Sequence, residues 1–414
     1  MEDRKLELFF DKQLWTDTIE KCVEKRIDRA LLTQLCEVDN RVAFARLLQS
    51  GAYKIAPPRV GLIPKPNSTE MRKVYINTDL DRLILSLTND VYFKLYGDRI
   101  HENCVSYQKG IGVSKIIKAI SNKIVHLKGN DGDLLGYKVD ISKYFDNVNK
   151  ETLSSTLDEI DSGSCLDKII RDYYFHDVII DENGSLVEKY KSLAQGSAVS
   201  SFLANYVLKD VDEELSKLDI VYYRYSDDIL MIGNDAEKAL SLLGEMLNKK
   251  GLTLNPKKVE QLYHGEWFTF LGFKINGDQV TFSEDSEKRF KDKIKSITKM
   301  RKGMKINNRC TQRTAIKNIN YYMYTAFIKS NKNFGWGIYF YNTVTVQEDI
   351  KRLDEFVKDH IKHMYTGKWN HTTNQNKTSN DTLEELGYVS MVHMYKLFKI
   401  NSNLFNAEIR RKMM

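Results

Sequence analysis

The chain has 414 residues and a net charge of +7, with apolar residues at 42% and charged residues at 29%. At ~150 residues per domain, this length predicts two or three domains whose cores fold without disulfides or structural metal. The composition excludes a disordered or fibrous protein, and so small a positive charge does not by itself indicate a nucleic-acid partner.

The first half of the chain shows helical and strand patterns in clear succession. Apolar side chains at three- and four-residue spacing predict helices from residue 1 to about residue 50. Prolines at 57 and 58 break this pattern, and residues 59–76 predict a basic β-hairpin that turns at 66–68. A long helix is expected over about 78–95.

The second half alternates predicted strands with helices and ends in a polar tract. The expected elements are a strand entering a helix or turn at 136–148, one amphipathic helix at 198–218, a hairpin at 220–234, a strand pair at 266–282, and an exposed Asn- and Thr-rich loop at 366–382 before a last helical piece.

Cysteine usage and the N-terminus bear on the compartment. The five cysteines are odd in number, scattered and never arranged as CxxC, which argues against a disulfide framework or a zinc ribbon. MEDRKLELFF at the N-terminus lacks the apolar stretch of a signal peptide, and no apolar run reaches the ~18 residues of a membrane span. We therefore expect a cytoplasmic protein without a membrane segment.

Three aspartates stand at the ends of apolar, β-like runs. Asp140 follows YKV, and Asp227 and Asp228 lie between YYRYS and ILMIG. If neighbouring strands bring these carboxylates together, their repulsion raises one or more pKa values unless cations neutralise them. Two Mg²⁺ ions about 3.5–4 Å apart on such oxygens are the arrangement used for nucleotidyl transfer. Taken singly, the Asp-Asp pair also fits a turn, and Asp140 also fits a helix N-cap.

A basic strip lies between Lys288 and Lys317. It holds 12 Lys or Arg residues against one acid, Asp292, in a pattern that otherwise reads as an amphipathic helix. Such a strip is either a solvated helix face or a phosphate-binding surface.

Six short motifs follow one another between about residues 50 and 320. They are IPKP with a later Arg72 and DR (63–82), VDISKYFDNV (139–148), QGSAVS (195–200), YSDD (225–228), GLTLNPKK (251–258) and FLGF (270–273). In this order and spacing they resemble the reverse transcriptases, specifically the bacterial ones related to group II intron enzymes. One motif would be weak evidence, whereas six in family order are specific.

The resemblance implies an α+β fold of the right-hand polymerase type, with an antiparallel palm sheet flanked by helices. The expected domains are an N-terminal helical extension (1–55), fingers (56–135), a palm with finger insertions (136–282), a helical thumb (283–365), and a loop with a C-terminal helical tail (366–414). It also implies that Asp140, Asp227 and Asp228 are catalytic. The implied ligands of two Mg²⁺ ions are Asp140, Ile141, Asp227 and Asp228.

The resemblance assigns further roles around the incoming nucleotide. A ring at Phe145 would lie under the sugar and clash with a 2′-hydroxyl, which predicts a DNA product, although a core aromatic is the alternative. Gln195 and Gly196 offer a side-chain amide and a backbone without Cβ where template and nucleotide approach. Three basic side chains complete the set.

These basic side chains would act on the triphosphate. Lys65 and Arg72 would clamp it, unless their hairpin is merely solvated, and the Lys258 ammonium is a candidate proton donor to pyrophosphate, with Lys257 adjacent. The basic strip falls where the family's thumb begins, which favours phosphate binding. The candidate nucleic-acid ligands there are Lys288, Lys291, Lys295, Arg301 and Lys302.

Absent signatures point to a subgroup. Some 130 residues follow the last palm motif without an HNH or RNase H constellation, and the NAxxH and VTG signatures of retron enzymes are not found. The resemblance is therefore to stand-alone, defence-associated or abortive-infection reverse transcriptases, which often work with a dedicated non-coding RNA.

The expected partners are template RNA, that non-coding RNA, dNTPs and the DNA product. Template-independent or protein-primed synthesis, an RNA-dependent RNA polymerase, and a non-catalytic RNA-binding module remain open alternatives.

Overall fold

A computed structural model describes residues 3–24, 27–64, 70–108, 110–299, 308–324, 336–369 and 371–413. The chain divides into two compact units. The first comprises Met1–Lys109 and Leu135–Leu262, and the second comprises Gly110–Leu134 and Tyr263–Met414.

Helices are numbered in chain order. They are α1 (Arg4–Phe9), α2 (Lys12–Glu24), α3 (Arg29–Cys36), α4 (Val38–Gln49), α5 (Asp79–Tyr96), α6 (Val113–Ile124), α7 (Tyr144–Asn147), α8 (Lys150–Ile160), α9 (Cys165–Phe175), α10 (Val199–Tyr206), α11 (Lys209–Ser216), α12 (Ala236–Lys249), α13 (Glu284–Thr298), α14 (Arg309–Tyr324), α15 (Trp336–Tyr341), α16 (Gln347–Thr366), α17 (His371–Lys377), α18 (Asn380–Glu385), α19 (Met391–Ile400) and α20 (Ser402–Met413). A helix that could span a bilayer is not found in the part of the chain that the structure describes.

Strands are numbered in the same way. They are β1 (Arg59–Pro64), β2 (Met71–Ile76), β3 (Leu134–Asp140), β4 (Val178–Ile180), β5 (Leu186–Glu188), β6 (Val221–Tyr225), β7 (Asp228–Ile232), β8 (Glu260–Tyr263), β9 (Phe268–Phe270), β10 (Phe273–Asn276) and β11 (Gln279–Phe282).

The N-terminal helices, the first hairpin and the long helix α5 confirm the predictions for the first hundred residues. Strands β1 and β2 pair antiparallel with Ile63 opposite Arg72, while residues 66–68 of the predicted turn lie outside the described residues. Helix α5 begins after Thr78, whose hydroxyl accepts a hydrogen bond from the Asp81 amide. Such a cap satisfies an amide that has no partner within the helix.

The central sheet of the first unit has the order β6-β7-β3-β8. Strand β7 pairs antiparallel with β6 on one side and with β3 on the other. Four successive residues of β7, from Ile229 to Ile232, are fully buried, so both faces of this strand are covered. Helix α10 adds Phe202 to the core, where its ring lies 5.4 Å from that of Tyr92 on α5.

Close contact between β3 and β7 depends on a glycine. Gly136 lies opposite Ile232 in the ladder, and a Cβ added at Gly136 would overlap the Met231 carbonyl oxygen and the Ile232 Cα. Only a residue without a side chain fits this separation of the two strands.

Three predicted elements need correction. The single amphipathic helix over 198–218 is two helices, α10 and α11, with Leu208 outside helical angles between them. Residues 202–208 are buried in succession, which a helix with one solvent face cannot achieve. The predicted strand pair at 266–282 is a three-stranded sheet in the order β11-β10-β9.

The polar tract at 366–382 is the third correction, because it contains α17 and the start of α18 instead of an exposed loop. Its short polar side chains bind helix ends and one another. The Ser379 hydroxyl caps α18 by accepting from the Thr382 amide at 3.1 Å, and the Thr366 hydroxyl donates to the buried Asn374 side chain. Residues that favour loops in isolation thus serve here as caps.

A buried ion pair attaches α1 to α9 within the first unit. Lys5 and Asp167 are 1% and 7% exposed and are bonded to each other. The Asp167 carboxylate also accepts from the Tyr92 hydroxyl at 3.0 Å and from the Ser162 amide at 2.9 Å.

We expect Lys5→Met to lower the free energy of unfolding by about 3–5 kcal/mol, because it leaves a buried carboxylate without its cation. Urea unfolding followed by circular dichroism measures this change. The double variant Lys5→Met/Asp167→Asn should recover part of the loss, since the uncompensated charge is then gone. A single variant as stable as the wild type would contradict the importance of this pair.

Candidate active site

Strand register brings the three predicted aspartates together. Asp140 ends β3 and lies directly opposite Asp228, the first residue of β7. Facing residues of an antiparallel pair project to the same side of the sheet. The Ile141 amide donates to the Asp227 carbonyl at 3.1 Å and so ties the turn to the end of β3. All three acids therefore lie at one end of the central sheet.

A two-residue turn carries the acidic pair. Tyr225 pairs with Asp228, so Ser226 and Asp227 alone connect β6 to β7, as the sequence predicts. Ser226 has a φ of +60°, the sign that tight hairpin turns require at their first position. This conformation is unusual for a residue with a Cβ, which indicates that its surroundings hold it in place.

Mutual repulsion and burial disturb the titration of these acids. Burial and the charge of Asp140 raise the pKa of Asp227. Burial, Asp227 and Asp140 together raise the pKa of Asp228 to about 6. The nearby protein groups therefore do not neutralise all the negative charge of the three carboxylates. A bound cation would neutralise the remainder.

Lys258 supplies one positive charge to this end of the sheet. Its Nζ donates to Asp140 Oδ2 at 2.6 Å, although the side chain as a whole is 58% exposed. Burial lowers the pKa of Lys258, but the hydrogen bond and the charge of Asp140 outweigh it and raise that pKa overall. The Asn255 amide donates to the Asp140 carbonyl at 2.8 Å and places this loop beside β3. Lys258, and not the adjacent Lys257, is thus the lysine that contacts the acids.

The predicted Mg²⁺ ligands fit a divalent cation by chemistry and by charge. Carboxylate oxygens are the donors that Mg²⁺ prefers, and Ile141 could add only its backbone carbonyl. Within the ranges described above, no three His, Cys, Asp or Glu side chains are already arranged around a common point where an ion would lie. The bond between Lys258 and Asp140 takes up one of the oxygens in question.

Gln195 and Gly196 lie beside Tyr75 of β2, and Phe145 lies beside Leu193, two residues before Gln195. The Leu193 amide donates to the Phe145 carbonyl at 3.1 Å, and the Tyr75 amide of β2 donates to the Gln195 carbonyl at 2.7 Å. Phe145 is half-buried, so its ring is not enclosed in the core. Gly196 has a φ of +108°, and an added Cβ would lie 2.8 Å from the Tyr75 carbonyl, so only glycine fits here.

Only some of the residues predicted to bind the triphosphate or nucleic acid lie within the described part of the chain. Arg72 is exposed on β2, whereas Lys65 lies outside the described residues. On α13, Lys288 is exposed, Lys291 pairs with Glu287 at 2.6 Å and Lys295 pairs with Asp292 at 3.5 Å. Arg301 and Lys302 are also outside the described residues.

Sequence reasoning missed Tyr107. Its ring centroid is 6.4 Å from that of Tyr225, beside the acidic turn, and its backbone has a φ of +59°. The segment around it is short and polar, so no periodic pattern indicates its position. A non-glycine residue with positive φ can be recognised only in the structure.

Comparison with known proteins identifies the class. Residues 63–275 match the family described as "Reverse transcriptase (RNA-dependent DNA polymerase)". Because this match covers more than half of the chain, the protein belongs to that family. The α+β fold of a right-hand polymerase is confirmed with it.

One curated relative is the "Retron Ec48 reverse transcriptase" of Escherichia coli, which is 26% identical over 170 residues. The alignment covers 39% of this chain and 38% of that protein, so it spans less than two fifths of the relative's length. This similarity to a retron enzyme appears although the sequence lacks the retron signatures sought above.

The solved structures to which this chain is similar include a telomerase from Candida tropicalis in complex with a TWJ fragment of telomeric RNA. It is 14% identical with a TM-score of 0.47, over 91% of this chain and 67% of that one. The RNA-dependent RNA polymerase of a human picobirnavirus, as an insertion-loop deletion mutant, is 12% identical with a TM-score of 0.45, over 86% and 64% of the two chains. These likenesses concern the fold alone.

The raised pKa of Asp228 predicts how metal-free stability changes with pH. With a folded-state pKa of about 6 against an ordinary value of 3.8, the native state binds more protons than the unfolded chain between these values. The free energy of unfolding therefore falls as pH rises through that window. Asp228→Asn lacks this loss, so it should gain about 2 kcal/mol relative to the wild type between about pH 4 and pH 7.

Denaturant unfolding in EDTA at a series of pH values measures this difference. Glu188→Gln, which alters an exposed acid on β5, serves as the control and should follow the wild type. Addition of Mg²⁺ should stabilise the wild type more than Asp228→Asn. A stability difference between Asp228→Asn and wild type that does not depend on pH would contradict the electrostatic account.

Proposed function

We propose that this protein is an RNA-directed DNA polymerase, which adds dNTPs to a primer 3′-hydroxyl on an RNA template by two-metal nucleotidyl transfer. The observation that carries the proposal is the pairing of Asp140 with Asp228, next to Asp227, inside the segment that matches the reverse transcriptase family. Catalysis of this kind depends on positioning and on charge stabilisation, without a covalent intermediate.

The side chains divide the work of this reaction. Asp140, Asp227 and Asp228 would hold two Mg²⁺ ions. Bound Mg²⁺ would favour the deprotonated 3′-oxygen and neutralise charge on the leaving pyrophosphate. The Lys258 ammonium, which donates to Asp140, would pass a proton to the departing pyrophosphate.

Selection of the nucleotide is assigned to Phe145, Gln195 and Gly196. The half-buried Phe145 ring would lie beneath the sugar and exclude a 2′-hydroxyl, while Gln195 and Gly196 would contact the base pair being formed. Arg72 and Lys65 would bind the triphosphate from the hairpin of β1 and β2.

The domains proposed for this activity are the N-terminal extension (1–55), fingers (56–135), palm (136–282), thumb (283–365) and tail (366–414). The two compact units divide the chain elsewhere, because residues 110–134 and 263–282 group with the C-terminal unit. Contacts within that unit account for this grouping. The Ser121 hydroxyl of α6, for example, donates to the Gly277 carbonyl at 2.7 Å.

The proposed contacts with nucleic-acid phosphates are made by the basic side chains at the start of the thumb. They are Lys288, Lys291 and Lys295 on α13, together with Arg301 and Lys302.

A role in antiphage defence with a dedicated non-coding RNA is the proposed biological setting. Support comes from the absence of endonuclease signatures and from the similarity to a retron reverse transcriptase. The cytoplasm is the proposed compartment, since Cys104, Cys165 and Cys310 are free thiols. Template-independent and protein-primed synthesis share the same chemistry and differ only in what supplies the template or the hydroxyl group.

The double variant Asp227→Ala/Asp228→Ala should lose Mg²⁺-dependent dNTP incorporation by at least ~10³-fold, because it removes two of three metal-binding carboxylates. Extension of a labelled primer on an RNA template measures this. Glu213→Ala/Glu214→Ala removes two adjacent acids on α11 and should retain activity. Activity in the Asp227/Asp228 variant would refute the site, whereas salt-sensitive RNA binding without incorporation by the wild type would favour the non-catalytic alternative.

Phe145→Val should raise incorporation of ribonucleotides relative to deoxyribonucleotides by roughly 10- to 100-fold, because a smaller side chain leaves room for the 2′-hydroxyl. Single-nucleotide incorporation with each of the two substrates gives this ratio. Tyr144→Phe alters the neighbouring ring only by its hydroxyl and should leave the ratio unchanged. Preference of the wild type for ribonucleotides would instead support an RNA-dependent RNA polymerase.

A further inference from the structure

A fully buried ion pair lies behind the acidic turn. Arg224 on β6 and Asp212 on α11 are both 0% exposed. Arg224 donates through Nε to Asp212 Oδ1 at 2.6 Å and through Nη2 to Oδ2 at 2.5 Å. The Tyr222 hydroxyl adds a third hydrogen bond to this carboxylate at 2.6 Å. The pair is therefore anchored on the side away from the turn.

The same guanidinium reaches the turn itself. Its Nη1 donates to the Ser226 carbonyl at 3.2 Å, while the Ser226 amide donates to the Ser106 hydroxyl at 3.0 Å. Both backbone groups of Ser226 are thus bound by buried side chains. Since Ser226 has a φ of +60°, which residues with a Cβ disfavour, these two bonds offset the cost of its conformation.

Asn205 connects the two arms of this clamp. Its side chain accepts from the Ser106 hydroxyl and donates to the Ser106 carbonyl, both at 2.7 Å, and its own carbonyl accepts from Arg224 Nη2 at 3.1 Å. The segment that carries Ser106 runs beside β6, where the Arg224 amide donates to the Asn103 carbonyl at 2.9 Å. Neither arm can move without disturbing the other.

The stability of the fold alone does not explain why Arg224 and Asp212 form a buried ion pair behind the turn. Desolvation makes buried ion pairs weak contributors to folding, and apolar residues of similar volume often serve as well. Only arginine among the charged residues offers a planar fork that can bond Asp212, Asn205 and Ser226 at the same time. The bonds to the turn therefore account for arginine at this position.

We propose that Arg224 and Ser106 are positioning residues, which fix the Ser226 peptide and thereby aim Asp227 and Asp228 at the metal ions. The inference rests on the proposed function. The Ser226 carbonyl belongs to the same planar peptide as the Asp227 amide, so holding this carbonyl fixes the plane from which the Asp227 Cα extends. Supporting partners of this kind determine how well metal ligands bind.

Ser106→Ala tests the clamp, with Ser164→Ala as the matched control. Both serines are buried, and each hydroxyl donates to a side-chain oxygen and accepts from a backbone amide, but the partners of Ser164 are Asp3 and Leu166, away from the turn. Mn²⁺ binding, followed by the electron paramagnetic resonance signal of the free ion, should weaken about 10- to 100-fold in Ser106→Ala and remain at the wild-type value in Ser164→Ala.

Kinetics provide the second readout. In Ser106→Ala, kcat for dNTP incorporation should fall roughly 10-fold or more while KM for the dNTP stays within about twofold, because the lost interaction aligns ligands without binding substrate. Arg224→Lys keeps the charge beside Asp212 but loses the fork, so it should show the same pattern and remains informative if Ser106→Ala does not fold. Equal Mn²⁺ affinity in Ser106→Ala, Arg224→Lys and Ser164→Ala would overturn the proposal.

The two readouts separate this inference from the proposed function. If the wild type binds Mn²⁺ but incorporates no nucleotide, the proposed polymerase activity fails, and the Mn²⁺ titration of the variants still decides whether Ser106 and Arg224 position the acids. If the wild type incorporates dNTPs and the variants differ only in unfolding midpoint, the network is structural and the positioning role is refuted.

Discussion

The antiparallel pairing of β3 with β7 sets Asp140 directly across from Asp228, with Asp227 one residue before it. Backbone hydrogen bonds enforce this proximity of like charges whatever the carboxylates themselves would favour. Burial strengthens the repulsion, because low-dielectric surroundings screen it poorly. Burial, and after it the charges of the neighbouring acids, raise the pKa values of Asp227 and Asp228, while the pKa of Lys258, which burial lowers, is raised overall by the hydrogen bond to Asp140 and the acidic charges. A site with this excess of negative charge suits cation-dependent phosphate chemistry.

The turn separates two electrostatic environments with opposite requirements. On the inner side, Arg224 and Asp212 are dry and satisfy each other with full hydrogen bonding. On the outer side, the acids are left short of positive charge, so that a ligand can supply it. The buried pair of Arg224 and Asp212 holds the turn, and the turn fixes the positions of the acids. Catalysis by preorganised charges depends on such fixed positions more than on any single strong contact. The left-handed Ser226 connects the two environments.

Local patterns in the sequence are sufficient for the elements that carry the acids. The apolar runs on either side of Ser226 predict β6 and β7, and the motif order indicates which strands meet. The sequence does not predict contacts between side chains that are distant along the chain. Asp212 lies on a helix that reads as amphipathic, and Arg224 interrupts an apolar strand, but nothing in the spacing of these two residues shows that they meet. The Asn- and Thr-rich tract misleads for a related reason, since capping by Ser379 depends on helix ends that composition does not locate.

The absence of a side chain at Gly136 has a mechanical consequence. This glycine lies four residues before Asp140 on the same strand, and any larger residue would force β3 away from β7. Even an alanine there would push the two strands apart and so separate Asp140 from Asp228, without altering one functional group. Evolution of this enzyme, or its engineering, is therefore constrained at a residue that has no side chain to contribute to the reaction.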